Sequence, residues 1–182
     1  MTTKVRATIE DLRNVPDNAK AEIVDGEIVL MSPTGDMPAR AGFKVAMSLS
    51  QMENQIPGRA YPDNIGYKVN LPNRDSFSPD ASFYIGKSAG MRFLEGAPIF
   101  AVEVRSENDY GSNAEVAIAK KRADYFAAGT LVVWDVDLLS PDVIKSYDAK
   151  KPDDPKIFRR SDVADAEPAI PGWRISVDEL FS

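Results

Sequence analysis

The chain contains neither cysteine nor histidine. Without cysteine there can be no disulfide, no thiol nucleophile and no zinc–thiolate site. Without histidine, a Ser-His-Asp triad, a Cys-His pair and any imidazole-ligated zinc or iron are excluded as well. Acid–base work is left to Asp, Glu, Lys, Tyr or a metal-bound water, and a metal would need oxygen ligands, which suit magnesium, manganese or calcium. Long apolar runs are missing too. Ile99 to Val102 and Leu131 to Trp134 are far too short to span a bilayer, and no apolar signal segment follows Met1 to Arg6. No membrane partner and a cytoplasmic location are therefore expected. Positive charge is in deficit: 22 Lys and Arg face 28 Asp and Glu, giving a net charge of -6. That balance argues against a general nucleic-acid binder, although Lys120-Lys121-Arg122 and Arg159-Arg160 form local basic strips.

What is present is ordinary globular composition, 43% apolar and 27% charged over 182 residues, which suits one domain across residues 1–182 and argues against disorder. No repeat or linker divides it. Thr8, with Asp11 three residues on, predicts a capped short helix. Glu22 to Leu30 reads as two strands around Asp25-Gly26, a dipeptide that tolerates the positive φ angles of a tight hairpin. Ala41, Val45, Leu49, Met52 and Ile56 form one face of a helix that Pro57-Gly58 stops. Strands are expected at Ile65 to Leu71, Ser78 to Ile85, Ile99 to Val104, Leu131 to Val136 and Val143 to Tyr147. Ser112-Asn113-Ala114-Glu115 has the form of a capping box, so a helix is predicted from Asn113 to Ala128, with Gly129 as its left-handed cap. The segment Ile170 to Ile175 should fold back onto the body. This order predicts an α/β (α+β) fold, a mixed central β-sheet flanked by helices with an N-terminal hairpin.

Two acids stand out. Asp80 enters an otherwise apolar strand, and Glu103 interrupts the most hydrophobic strand of the chain. An ionised carboxylate in such a place is costly unless paired, hydrogen-bonded or bound to metal. Two brought together raise each other's pKa, which a divalent cation reverses, so the pair makes physical sense as a magnesium site. Lys121 lies one helical turn from both Ala117 and Tyr125 and so faces the protein. Its ammonium could position water, stabilise a phosphate, or simply bridge to Glu103. Glu22 is either a further carboxylate of this group or a solvent-facing strand end. Arg105, two residues after Glu103 and on the same side, would touch phosphate or neutralise Glu103. Asp135 and Asp137 read as turn formers, and Trp134 and Trp173 as core.

At these residues the sequence resembles the Uma-type restriction endonuclease family of the PD-(D/E)xK nuclease superfamily. The landmarks are Glu22-Ile23-Val24-Asp25-Gly26-Glu27, Met31-Ser32-Pro33, Ser78-Pro79-Asp80, Val102-Glu103-Val104-Arg105-Ser106, Lys121 to Tyr125 with Gly129, Trp134-Asp135-Val136-Asp137 and Pro171-Gly172-Trp173. Each is short; their joint order and spacing carry the likeness. The resemblance implies a restriction-endonuclease-like fold and magnesium- or manganese-dependent hydrolysis of DNA phosphodiester bonds. Asp80 and Glu103 would be metal ligands, with the Val104 carbonyl as a further one, and Asp80, Glu103 and Lys121 the catalytic set. Glu22 and Arg105 would support them. The superfamily lysine normally lies two residues after the Glu, where this chain has Arg105; Lys121 matches a lysine supplied from the next helix. Many relatives carry a His near the start of the first long helix, where this chain has Arg40 or a neighbour. DNA is the implied partner, and a homodimer is the accompanying expectation, since two-fold dimers are a common way to cut duplex DNA and the commonest closed symmetry. The alternative is a catalytically inert nuclease-fold module for binding or regulation, favoured by the acidic charge and by Arg105. A two-carboxylate glycosidase, the third reading, would need an acid of raised pKa beside a sugar cleft.

Overall fold

A computed structural model describes residues 6–15 and 19–182. The start of the chain, on which the expected location rests, lies outside them. Thr8 caps helix α1 (Ile9–Arg13), and Asp11 reciprocates on the Thr8 backbone, as the capping pattern predicts. Asp25 (φ 52°) and Gly26 (φ 77°) close the hairpin of β1 (Ala21–Val24) and β2 (Glu27–Leu30). Helix α2 (Asp36–Ser50) buries Ala41, Gly42, Val45, Ala46 and Leu49 and runs into a 3-10 turn at Gln51–Asn54 before Pro57.

Helix α3 (Ser112–Ala127) departs from expectation at its start. Gly111, at φ 94°, is the N-cap and no side chain caps the helix. The Ser112–Glu115 box does not form, because the Glu115 carboxylate is bound by Arg105 instead.

The central sheet has six strands in the order β11-β10-β9-β8-β6-β3. These are β3 (Arg59–Pro62), β6 (Ala81–Tyr84), β8 (Phe100–Val104), β9 (Val132–Val136), β10 (Ile144–Asp148) and β11 (Lys151–Phe158). Only β8 and β9 run parallel, so the sheet is mixed as expected, with α3 as their crossover. The hairpin is not a free-standing appendage. It forms the edge of a five-stranded sheet, β2-β1-β5-β4-β7, with β4 (Tyr67–Leu71), β5 (Arg74–Phe77) and β7 (Leu94–Glu95). A small ribbon pairs β12 (Val163–Asp165) with β13 (Arg174–Ser176).

Strand alternation sorts the central sheet into two faces. Phe83, Phe100, Val102, Val104, Val132, Trp134 and Val136 pack on α2 and on the returning C-terminal segment through Ile170, Trp173 and Leu180. Ala101 and Val133 face the other way, onto Tyr125 of α3 and onto Tyr67 and Phe77 of the second sheet. Both tryptophans are core, on the first face.

Candidate active site

On the second face, four acids gather at one end of the central sheet. Ala81 pairs with Val102 and Pro62 with Ala81. Glu103 pairs directly with Asp135, while Asp80 immediately precedes β6 and Asp63 lies in the turn that follows β3, just past the ends of those two ladders. Asp80 is nonetheless tied to β8 on either side of Glu103, its N–H donating to the Val102 carbonyl at 3.0 Å and its Oδ2 accepting the Val104 N–H. Asp63, Asp80, Glu103 and Asp135 thus gather as an acidic rung along this end of the sheet, with Asp63 and Asp80 sharing the Lys20 ammonium. Asp80 and Glu103, expected to converge from distant segments, are neighbours on it.

Such a row is tolerable only with cations, and three supply them. The Lys121 ammonium donates to Glu103 Oε2 and lies 2.9 Å from both that oxygen and Glu22 Oε1. Lys20 reaches Asp80 Oδ1 at 2.9 Å and Asp63 Oδ1 at 2.5 Å. Arg105 forks onto Asp135, with Nε and Nη2 each 2.7 Å from an oxygen, and also holds Glu115. Its guanidinium is thus engaged by acids other than Glu103. Asp135 is a buried strand residue that receives this fork, not the turn former its position suggested.

The remaining lone pairs are filled by neutral donors. Asp80 Oδ2 accepts the Val104 N–H at 2.8 Å, and Glu103 Oε1 accepts the Tyr125 hydroxyl at 2.6 Å. Burial, then Asp80 and Glu22, push Glu103 up to about 7 against the opposing pull of Lys121 and Tyr125. For Lys121, burial acts against the charge, but Glu103 and Glu22 outweigh it and hold the ammonium above its ordinary range. Lys20 shows the same balance, with Asp80, Asp63 and Glu103 outweighing burial.

Glu22 is no solvent-facing strand end: it is 2% exposed. Its Oε1 accepts the Ser78 N–H at 2.8 Å, two residues before Asp80, and its Oε2 accepts from Arg74 at 2.6 Å. Arg74 in turn donates to Asp124 at 2.8 Å, and Asn73 donates to the same carboxylate. This chain of buried charges ties β1 and β5 to the turn of α3 that carries Lys121. Helix α2 closes on the site from the other face: a Cβ at Gly42 would stand 3.2 Å from the Asp80 carbonyl oxygen and 3.5 Å from its Cβ.

Lys20, Asp63, Arg74 and Asp124 escaped the sequence reading. Lys20 had a usable signal, since it lies two residues before Glu22 in an extended segment and so on the same side. The other three depend on contacts between segments far apart in the chain that no local pattern encodes.

Among the described residues no group of three or more acids is disposed to hold a metal ion. The donor set offered by Asp80 and Glu103 is two carboxylates from adjacent strands. That fits a hard cation that keeps much of its water shell, as magnesium does, and not an all-protein calcium cage. Among the described residues no helix is long and apolar enough to cross a membrane.

No curated protein matches the chain in sequence. In structure it is similar to a crystal structure from Anabaena variabilis titled a putative nuclease belonging to DUF820, with a TM-score of 0.74 at 16% identity, covering 96% of this chain and 97% of that one. At that identity the likeness establishes a shared fold, the mixed α/β architecture described above. The family assignment comes from sequence: residues 7–178 match Uma2, described as "Putative restriction endonuclease". The match takes in every residue of the acidic rung and its cations, and the chain belongs to the Uma2 restriction endonuclease family.

Proposed function

We propose that the protein is a divalent-metal-dependent endonuclease that hydrolyses DNA phosphodiester bonds at the acidic rung. The observation that carries this reading is that Asp80 bonds to the β8 residues on either side of Glu103, on whose carboxylate Lys121 sits. Asp80 and Glu103 would hold magnesium or manganese, with the Val104 carbonyl next to them on β8. Bound there, the cation would supply Lewis-acid polarisation of a phosphate and a water of lowered pKa.

The chain's own groups do the rest. Lys121 keeps a positive charge at the edge of the carboxylate pair, where phosphate oxygens gain negative charge on the way to the transition state. Tyr125 and Glu22 fix the rotamers of Glu103 and Lys121, so their geometry is set before substrate arrives. Arg105 anchors the first turn of α3 to β9 through Glu115 and Asp135. The test is cleavage of plasmid and single-stranded DNA with magnesium or manganese. Asp80→Ala and Glu103→Ala, shown by circular dichroism to be folded, should lose at least about a hundredfold in rate. Cleavage retained in either variant overturns the assignment.

A second reading, an inert nuclease-fold module, draws on one observation: both candidate ligands already have a lysine partner. Calorimetric titration with manganese separates the two, since an inert relic has no need to bind the ion.

A further inference from the structure

Each lysine at the rung touches two carboxylates, one of them a candidate metal ligand and the other not. Lys121 spans Glu103 and Glu22, and Lys20 spans Asp80 and Asp63. With Lys20 on Oδ1 and the Val104 N–H on Oδ2, both oxygens of Asp80 are in use. Among the described residues no buried side-chain nitrogen or oxygen lacks a partner, so the site is satisfied by the chain's own groups.

A dication and an ammonium on the same carboxylate oxygen repel strongly where water is partly shut out, and the Lys20 side chain is only 18% exposed. Entry of the ion on Asp80 therefore requires Lys20 to leave it. The lysine has somewhere to go. Asp63, in the loop after β3, is already in contact, and its side chain is 45% exposed, so moving onto it carries the ammonium towards water. The Lys20 backbone stays put in such a swing, since its carbonyl accepts the Met31 N–H across the hairpin at 2.9 Å.

We propose that Lys20 is a latch on the metal site: it neutralises Asp80 while no divalent ion is bound and withdraws onto Asp63 when one enters. This rests on Asp80 and Glu103 being the ligands. Lys20 and Asp63 then act as positioning residues that set metal affinity without touching the ion.

The two partners have opposite signatures. Manganese binding is measured by calorimetry and by the loss of the free-ion electron paramagnetic resonance signal. Lys20→Met should bind manganese about tenfold tighter than wild type, because the competing charge is gone. Asp63→Asn should bind severalfold more weakly, since Lys20 then has no second carboxylate and stays on Asp80. The double variant should match Lys20→Met, because Asp63 acts only through Lys20. Thermal midpoints within a few degrees of wild type certify each fold. Equal or weaker binding by Lys20→Met, or a double variant as weak as Asp63→Asn, overturns the latch. In both those cases, wild-type binding that Asp80→Asn abolishes leaves the metal site itself standing. No binding by wild type or by any variant removes the site, and the latch with it.

Discussion

Glu103 is held in a strand where ionisation is costly, and that has a measurable sign. Burial, opposed by Lys121, pushes its carboxyl up to about 7 when folded, against an ordinary value of 4.5. Between those values the folded chain retains a proton that the unfolded chain releases. The stabilising contribution is full below about 4.5 and is lost as pH rises through about 7. Glu103→Gln keeps the neutral form at every pH. Relative to that variant, wild type without metal should lose on the order of 2–3 kcal/mol between about pH 5 and about pH 8 by urea denaturation. A difference independent of pH would show that Glu103 ionises as freely in the fold as out of it. Single residues such as Glu103 were legible in the sequence because an acid in an apolar run demands a partner. Asp63 and Asp124 were not, because each is an unremarkable acid in its own segment and acquires its cation only through tertiary contact, Asp63 from Lys20 beside β1 and Asp124 on α3 from Arg74 of β5.

Among the elements, α2 and α3 set the site from opposite faces of the central sheet. Gly42 lets the α2 backbone press on Asp80, and a Cβ there would come within 3.2 Å of the Asp80 carbonyl oxygen. Gly42→Ala gains about 1 kcal/mol in helix propensity while forcing α2 and Asp80 apart by a few tenths of an ångström. The expected result is a thermal midpoint near that of wild type with DNA cleavage slowed about tenfold, since active-site geometry is far less tolerant than helix packing. An undiminished rate would mean that α2 yields and Asp80 does not. The periodicity of α2 and the apolar runs of β8 and β9 made those elements readable. Strand β5 was hidden because Arg74-Asp75-Ser76-Phe77 is mostly polar, and its burial is bought by Glu22 and Asp124. Strand β11, Lys151–Phe158, was hidden by two prolines and four charges before Ile157, the composition of a protected sheet edge. The start of α3 was misread by one residue because Arg105 takes Glu115 away from the cap.

At the scale of the whole molecule, a site that relieves buried negative charge should couple ion binding to global stability. With manganese at about a hundred times its dissociation constant, linkage adds about 2.7 kcal/mol. For a chain of this size that is a rise of about 5–10 °C in thermal midpoint. Asp80→Asn should abolish the rise, and an equal rise in that variant would place the ion elsewhere. The general architecture was legible, since the mixed order of strands and helices leaves few ways to cover both faces of one sheet. The second sheet was not, because its strands are short and meet only in three dimensions. Trp134 and Trp173 pack at a tilt in one cluster, ring centroids 5.3 Å apart, with Phe100 and Phe158 around them, on the sheet face turned away from the acids. Intrinsic fluorescence from these two indoles consequently follows cooperative loss of the core and is indifferent to occupancy of the rung. A melting curve recorded at their emission, without any label, reads the ion's effect on the fold uncontaminated by quenching at the place where the ion sits.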